Sequence, residues 1–159
     1  MLRITNSDGR CAFILALLAL AAPIATVRAA SKEPTVDELK ARLSSTAVGD
    51  RPRLCLQIAE RQLDAADKLF ASTESDKALP LLTDAVSFSE QARDAAIQSR
   101  KYQKQTEIAV RKMARKLTDL KHAIPHDDQP AVQDAIDRLQ RVRDDLLLAM
   151  FPHGRKGEK

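Results

Sequence analysis

Glycine is scarce in this chain, with four residues in 159. Phosphate-binding loops and the sharp turns that expose a catalytic serine need glycines at fixed spacing, and neither pattern occurs in the sequence. Serines such as Ser44, Ser45, Ser72 and Ser75 lie at predicted helix ends and turns, where capping explains them. The sequence therefore predicts no catalytic residue and no cofactor, and it disfavours an enzyme.

Cysteine and aromatic residues are also rare: the chain has two cysteines, one tyrosine and no tryptophan. Cys11 lies in the N-terminal apolar segment described below, so Cys55 alone would remain after its removal and could form no intramolecular disulfide. Cys55 lies near the centre of the apolar face of its predicted helix, and we expect it to be buried. The shortage of stacking side chains disfavours nucleic acid as a partner.

The long apolar run of the chain is confined to its N-terminus. Arg3 and Arg10 precede an uncharged segment from residue 11 to 27, and small residues follow at the third and first positions before a break after Ala29. This layout predicts a signal peptide over residues 1–29, with an uncleaved membrane anchor as the alternative. Either reading predicts an exported protein, periplasmic or secreted. Cleavage would lower the formal net charge from 26 − 22 = +4 to 23 − 21 = +2.

Helical periodicity dominates the rest of the chain, and we predict one all-α domain over residues 35–151. A flexible leader over residues 30–34 precedes it, and a disordered polar tail over residues 152–159 follows it. Thr35 and Glu38 form a capping-box pattern that opens a short helix ending near Ser45. A second helix, over residues 51–71, has an apolar face broad enough to contact two neighbours.

A glycine-free stretch over residues 76–124 predicts one long helix, around which the domain is organised. Its apolar and small residues repeat with period 3.5, which forms a seam for two partner segments or for a second copy of the chain in a homo-oligomer. The alternative is a break near Ser99 to Lys101 that folds the same helices into a compact four-helix bundle. A last helix over residues 130–150 is predicted to return antiparallel to the second half of the long helix.

The segment over residues 54–98 combines a helix, a short turn and a second helix that carries Ala78, Leu79, Leu82 and Ala85. This arrangement resembles a tetratricopeptide-type hairpin. The resemblance implies protein or peptide binding in a concave groove. No second copy occurs at the 34-residue period that such arrays repeat, and no binding residue is transferred.

A basic face is the sharpest surface feature of the sequence. Residues 100–122 contain eight lysines and arginines against Glu107 and Asp119, a balance of 8 − 2 = +6. Seven of the cations share one side of the predicted helix: Arg100, Lys101, Lys104, Arg111, Lys112, Arg115 and Lys116. The face is either solvated or binds an anionic partner, such as lipid head groups, an acidic envelope polymer or an acidic protein surface.

Two further constellations can be weighed. His122 and His126 have the spacing of helical metal ligands, but Pro125 between them should end the helix, so we predict no metal site.

Arg143 lies within the apolar face of the last helix and needs a partner. In an antiparallel hairpin whose facing residues have numbers that sum to about 254, Arg143 faces position 111 and lies within about one turn of Glu107. We therefore predict a structural ion pair between Arg143 and Glu107.

These observations favour a non-enzymatic exported helical protein that acts through protein interaction or as a small scaffold. A peripheral binder of anionic membrane or envelope polymer, acting through the basic face at residues 100–116, is the second hypothesis. A metal-dependent hydrolase is a distant third.

Overall fold

The computed structural model describes residues 33–152. Five α-helices follow one another in this range: α1 (Val36–Leu43), α2 (Arg51–Ala71), α3 (Ser75–Ser99), α4 (Gln103–Lys121) and α5 (Gln129–Met150), with a 3-10 turn at His126–Asp128 before α5. The described residues contain no strand, which confirms the all-α prediction for this part of the chain. The predicted signal peptide, residues 30–32 of the predicted leader and residues 153–159 of the predicted tail lie outside it.

Local sequence signals explain how the first two helices begin. The Thr35 hydroxyl accepts a hydrogen bond from the Glu38 backbone N–H, and the Glu38 carboxylate accepts one from the Thr35 N–H, which completes the capping box. Pro52 lies in the first turn of α2, where a missing N–H has no helical partner to lose. The carbonyl of Pro34 accepts a hydrogen bond from Arg61, which ties the residue before α1 to α2.

The prediction of one continuous helix over residues 76–124 is wrong. Helix α3 ends at Ser99 and α4 begins at Gln103, and Arg100 (φ 55°) and Tyr102 (φ 60°) both adopt the left-handed conformation. The Ser99 hydroxyl donates to the Ala95 carbonyl (2.6 Å) and accepts from the Lys101 N–H (3.3 Å), so a side chain replaces the helical bonding at this point. The break follows the alternative that the sequence left open. It is not marked by glycine or proline.

Replacing Arg100 by glycine should raise the free energy of unfolding by about 1 kcal/mol, because a left-handed backbone strains any residue that has a Cβ. Chemical denaturation of the two proteins measures the difference. Gln98→Gly, at an exposed position inside α3, is the control and should lower stability by about the same amount. A loss of stability in both variants would contradict a left-handed conformation at position 100.

The break lets four helices form an up-down-up-down bundle. Helix α2 packs antiparallel to α3, α4 packs antiparallel to α5, α3 lies beside α5, and α2 lies beside α4. Helix α1 lies on the outside of α2, with Leu39 fully buried beneath it. The seam residues Val110, Met113 and Leu117 are buried inside this bundle.

Small residues let α2 and α3 approach closely. Ala78, Ala85 and Ala92 recur every seven residues along α3, and Ala59 and Ala66 do so along α2. All five side chains are at most 3% exposed. Because an alanine occupies little volume at a helix contact, the two backbones can pack together without a gap. The residues resembling a tetratricopeptide hairpin do form an antiparallel helical pair, and α4 and α5 cover its inner side.

Charged side chains join several pairs of neighbouring helices. Arg138 of α5 makes two parallel hydrogen bonds to the Glu90 carboxylate of α3 (3.0 and 2.9 Å), and Arg93 of α3 reaches Asp145 of α5 (2.9 Å). Asp84 of α3 accepts hydrogen bonds from Lys40 of α1 (2.8 Å) and Gln62 of α2 (2.9 Å), which links three helices.

Candidate interaction surface

The structure divides the predicted basic face into parts with different surroundings. Arg100 and Lys101 lie in the connection between α3 and α4, whereas the other five cations lie on α4. Neighbouring helices supply carboxylates to some of these cations and not to others. The seven residues therefore do not form one uniform surface.

The C-terminal part of the face is balanced by acidic residues of α2. Lys116 Nζ lies 2.7 Å from Asp64 and 2.9 Å from Asp67. Burial opposes charge on Lys116, but the hydrogen bonds and charges of the two carboxylates outweigh it and raise the pKa of this lysine. Lys116 thus joins α4 to α2 and is not free to bind a partner.

Lys112 faces a shallow cleft between α2 and α4, with a volume of about 220 Å³, whose wall also contains Glu60, Asp64 and Lys116. Desolvation of the Glu60 carboxyl and the nearby charge of Asp64 raise the pKa of Glu60, and the charge of Lys112 partly opposes this shift. The cleft thus contains both signs of charge. Arg115, beside it on α4, is exposed and has no ion pair within residues 33–152.

Glu107 and Arg143 meet at the α4–α5 contact. Arg143 Nε donates to Glu107 Oε1 across 2.9 Å, and Arg111 Nε lies 3.6 Å from the same oxygen. Glu107 is 8% exposed, so two arginines neutralise a nearly buried carboxylate. The predicted partners are together, with residue numbers that sum to 250 and not 254. This offset of about one turn is the one that the expected register allowed.

A double-mutant cycle with Arg143→Met and Glu107→Gln should give a coupling energy of about 1 kcal/mol, because the arginine is partly exposed and screened by solvent. The coupling should decrease in high salt. Thermal or chemical denaturation of the four proteins measures it. Arg141→Met, at an exposed position of α5, is the control for the removal of a neighbouring arginine. A coupling energy of zero between Arg143 and Glu107 would contradict the observed pair.

Unpaired cations cluster at the end of the bundle where α3 is connected to α4. We call Arg53, Arg100, Lys101 and Lys104 the basic tip. The four side chains are exposed and none makes an ion pair with any described residue. Arg53 lies over the Tyr102 ring at 5.7 Å, and a Cβ at Gly49 would lie 3.2 Å from Lys101 Cδ, so the start of α2 is held against the connection. Asp50 is the carboxylate in this segment.

The opposite end of the bundle is acidic. The turns there and the adjoining helix ends contain Glu74, Asp76, Asp119, Asp127 and Asp128, with Lys68, Lys77 and Lys121 as cations. Glu74 pairs with Lys77, and Ser75 donates a hydrogen bond to Asp128, which ties the start of α3 to the turn before α5. Sequence reasoning missed this separation of charge. The information was present in the residues at alternate helix ends, but only the order of the helices shows which ends meet.

The two histidines of the candidate pair lie in different elements of the structure. His122 caps the C-terminus of α4, Pro125 precedes the 3-10 turn that begins at His126, and both histidines are exposed. Within the described residues, no group of three or more His, Cys, Asp or Glu side chains is placed to hold a metal ion.

Cys55 lies in the wall of a cleft between described helices. This cleft has a volume of about 540 Å³ and lies between α1, α2 and α3, with Lys40, Arg51 and Asp94 among its polar residues. The Cys55 residue is 2% exposed. Burial raises the pKa of its thiol from 9.0 to about 11, and the nearby charge of Arg51 reduces this effect.

Cys55 should therefore react slowly with a thiol reagent in the native protein at pH 9. An ordinary thiol is about half thiolate at this pH, whereas a thiol with a pKa of about 11 is roughly 1% thiolate, and burial further limits access. Mass spectrometry of alkylation with and without denaturant measures the two rates. Equal rates in both conditions would contradict burial of Cys55.

None of the described helices is long and apolar enough to cross a membrane. Comparison with known proteins gives no match to a family model, a curated protein or a solved structure.

Proposed function

We propose that this chain is an exported, non-enzymatic helical protein that binds a protein partner on its outer surface and acts as a small scaffold. Two observations support this proposal. The hydroxyl and thiol groups considered below make contacts within the fold, whereas cations without an ion pair among the described residues lie on the surface. Export rests on the N-terminal sequence pattern alone.

The hydroxyl groups and the thiol illustrate the structural use of reactive side chains. Ser89 donates to the Ala85 carbonyl at 2.8 Å and Thr106 to the Tyr102 carbonyl at 2.8 Å, so both hydroxyls are bonded to the helix backbone. Cys55 belongs to the core. A protein whose distinctive groups are surface charges is suited to recognition by charge complementarity.

Site-specific crosslinking in cells tests the scaffold proposal. A photoreactive residue at Arg115, exposed on α4 without an ion pair, should capture one predominant protein partner. The same residue at Asp137, exposed on α5, is the matched control and should not capture it. Capture of the same proteins at both positions, or of none, would contradict a partner bound through α4.

The basic tip favours a second function, the peripheral binding of an anionic membrane or polymer. Within residues 33–152, Lys116 and Arg111 have carboxylate partners, whereas Arg100, Lys101 and Lys104 have none. Cations without internal partners can neutralise an external anion at little cost in folding energy.

Retention on dextran sulfate tests this second function, since contacts between exposed charges are screened by salt. Replacing Arg100, Lys101 and Lys104 by glutamine should lower the salt concentration needed for elution more than replacing Lys112, Arg115 and Lys116 does. An equal effect of the two triple changes would favour the whole face over the tip. Unchanged retention in both would contradict anion binding by this surface.

A further inference from the structure

Two large apolar side chains stand out in solvent near the C-terminus of α5. Phe151 is 65% exposed and Leu148 is 50% exposed. Both residues lie C-terminal to Arg143, which contacts Glu107 of α4. Large apolar groups left in water are costly, and a pair of them beside charged residues is typical of surfaces that meet a partner or a lipid interface.

The helix register places these apolar groups at the basic tip. Helix α5 runs antiparallel to α4, and Arg143 lies opposite Glu107. Phe151 follows Arg143 by eight residues, and Lys101 precedes Glu107 by six. At a rise of about 1.5 Å per residue the two positions reach nearly the same level along the bundle axis. One end of the bundle therefore contains the cations of the basic tip and two exposed apolar side chains.

We propose that the basic tip docks on an anionic lipid bilayer, with its cations at the head groups and with Phe151 and Leu148 inserted into the interface. This inference rests on the second function proposed above and names its partner. A dissolved acidic polymer would satisfy the cations but would offer nothing to the apolar side chains. Cations and apolar side chains at the same end of the bundle favour a bilayer, where charged head groups and apolar acyl chains lie a few ångströms apart.

The acidic end of the bundle fixes the orientation. Glu74, Asp76 and Asp127 lie at the end opposite the tip, where an anionic surface would repel them. Attraction at one end and repulsion at the other orient the bundle axis along the membrane normal. Asp50 near the tip, Asp144 on the outside of α5, and Asp94 and Asp145, which share Arg93, are carboxylates that oppose docking.

Tyr102 provides a direct reporter of this contact. It is the one tyrosine of a chain without tryptophan, and it lies at the tip under Arg53. Vesicles of equimolar phosphatidylglycerol and phosphatidylcholine with brominated acyl chains should quench its fluorescence. Vesicles of brominated phosphatidylcholine alone should not. Quenching that is equal on both, or absent on both, would overturn the proposal.

Vesicle affinity of variants tests the residues. Each cation near an anionic surface contributes about a fivefold increase in binding, so replacing Arg100, Lys101 and Lys104 by glutamine should weaken binding by roughly 100-fold. Phe151→Ser should weaken it by about tenfold through lost apolar burial. All proteins carry the same N-terminus, so any contribution from residues 1–32 is common to them, and thermal denaturation confirms that each is folded.

Lys68→Gln and Lys104→Gln form the matched single pair. Both lysines are exposed and without an ion pair among the described residues, but Lys68 lies near the acidic end. Only the change at Lys104 should weaken vesicle binding, by about fivefold. Equal losses would show attraction by net charge and would overturn docking by the tip. If the triple change abolishes retention on dextran sulfate while Phe151→Ser leaves vesicle binding unchanged, anion binding stands and the membrane inference fails.

Discussion

Leu146→Ala should lower the free energy of unfolding by about 3 kcal/mol. Leu146 is 0% exposed in the core formed by α4 and α5 with the rest of the bundle. The substitution removes three carbon atoms and leaves a cavity that rigid neighbouring helices fill poorly. Since a domain of this size is stable by roughly 5–15 kcal/mol, the loss should be evident as a large shift of the urea midpoint.

Leu148→Ala is the matched control, two residues further along the same helix. Leu148 is 50% exposed, and leucine and alanine both favour helices, so the change in stability should stay below about 0.5 kcal/mol. Similar effects of the two substitutions would contradict the orientation of α5, in which Leu146 faces the core and Leu148 faces solvent. The pair therefore tests the rotation of α5 about its own axis.

Ala92→Leu should destabilise the protein by about 2 kcal/mol, although it adds apolar surface. Ala92 is 0% exposed and belongs to the small-residue contact between α2 and α3. Three extra carbon atoms can be accommodated only if the helices separate or the side chain leaves its preferred rotamers. Denaturant unfolding measures the loss.

Gln91→Leu is the control, because it introduces leucine at the adjacent, exposed position. Glutamine and leucine both favour helices. We expect a change of less than about 0.5 kcal/mol there. A stabilising effect of Ala92→Leu would show that α2 and α3 are not in close contact at this level. The comparison separates overpacking from a general effect of added leucine.

The sequence was sufficient to predict most helix boundaries. The capping box at Thr35, the end of α2 at Ala71 and the end of α5 at Met150 follow from side-chain chemistry within a few residues of each site. Such local signals act through hydrogen bonds and backbone preferences that are largely independent of the rest of the fold.

The break after Ser99 could not be predicted in the same way. Arg100 and Tyr102 adopt left-handed conformations that neither residue prefers. Their strain is offset by burial of Val110, Met113 and Leu117 in the bundle, which is a gain made two or more helical turns beyond the break. A local pattern therefore favours a continuous helix, and tertiary packing overrides it.

The candidate surface was predicted in composition but not in arrangement. The cations at residues 100–116 are present, but Asp64 and Asp67 of α2 neutralise Lys116. Conversely, Arg53 joins the tip although it lies almost 50 residues earlier in the chain. The pair between Arg143 and Glu107 was within reach of sequence reasoning because a short connector limits the register of an antiparallel hairpin.

The order of the helices also bears on how quickly the chain can fold. Helices α2 and α3 are joined by residues 72–74, and α4 and α5 by residues 122–128, so each antiparallel pair brings together segments that are close in sequence. Closing such short loops costs little entropy, and bundles dominated by local contacts fold in milliseconds or less. The first hairpin can thus assemble during synthesis while the second is still incomplete, and the connection of residues 100–102 then holds the two at a high effective concentration for docking.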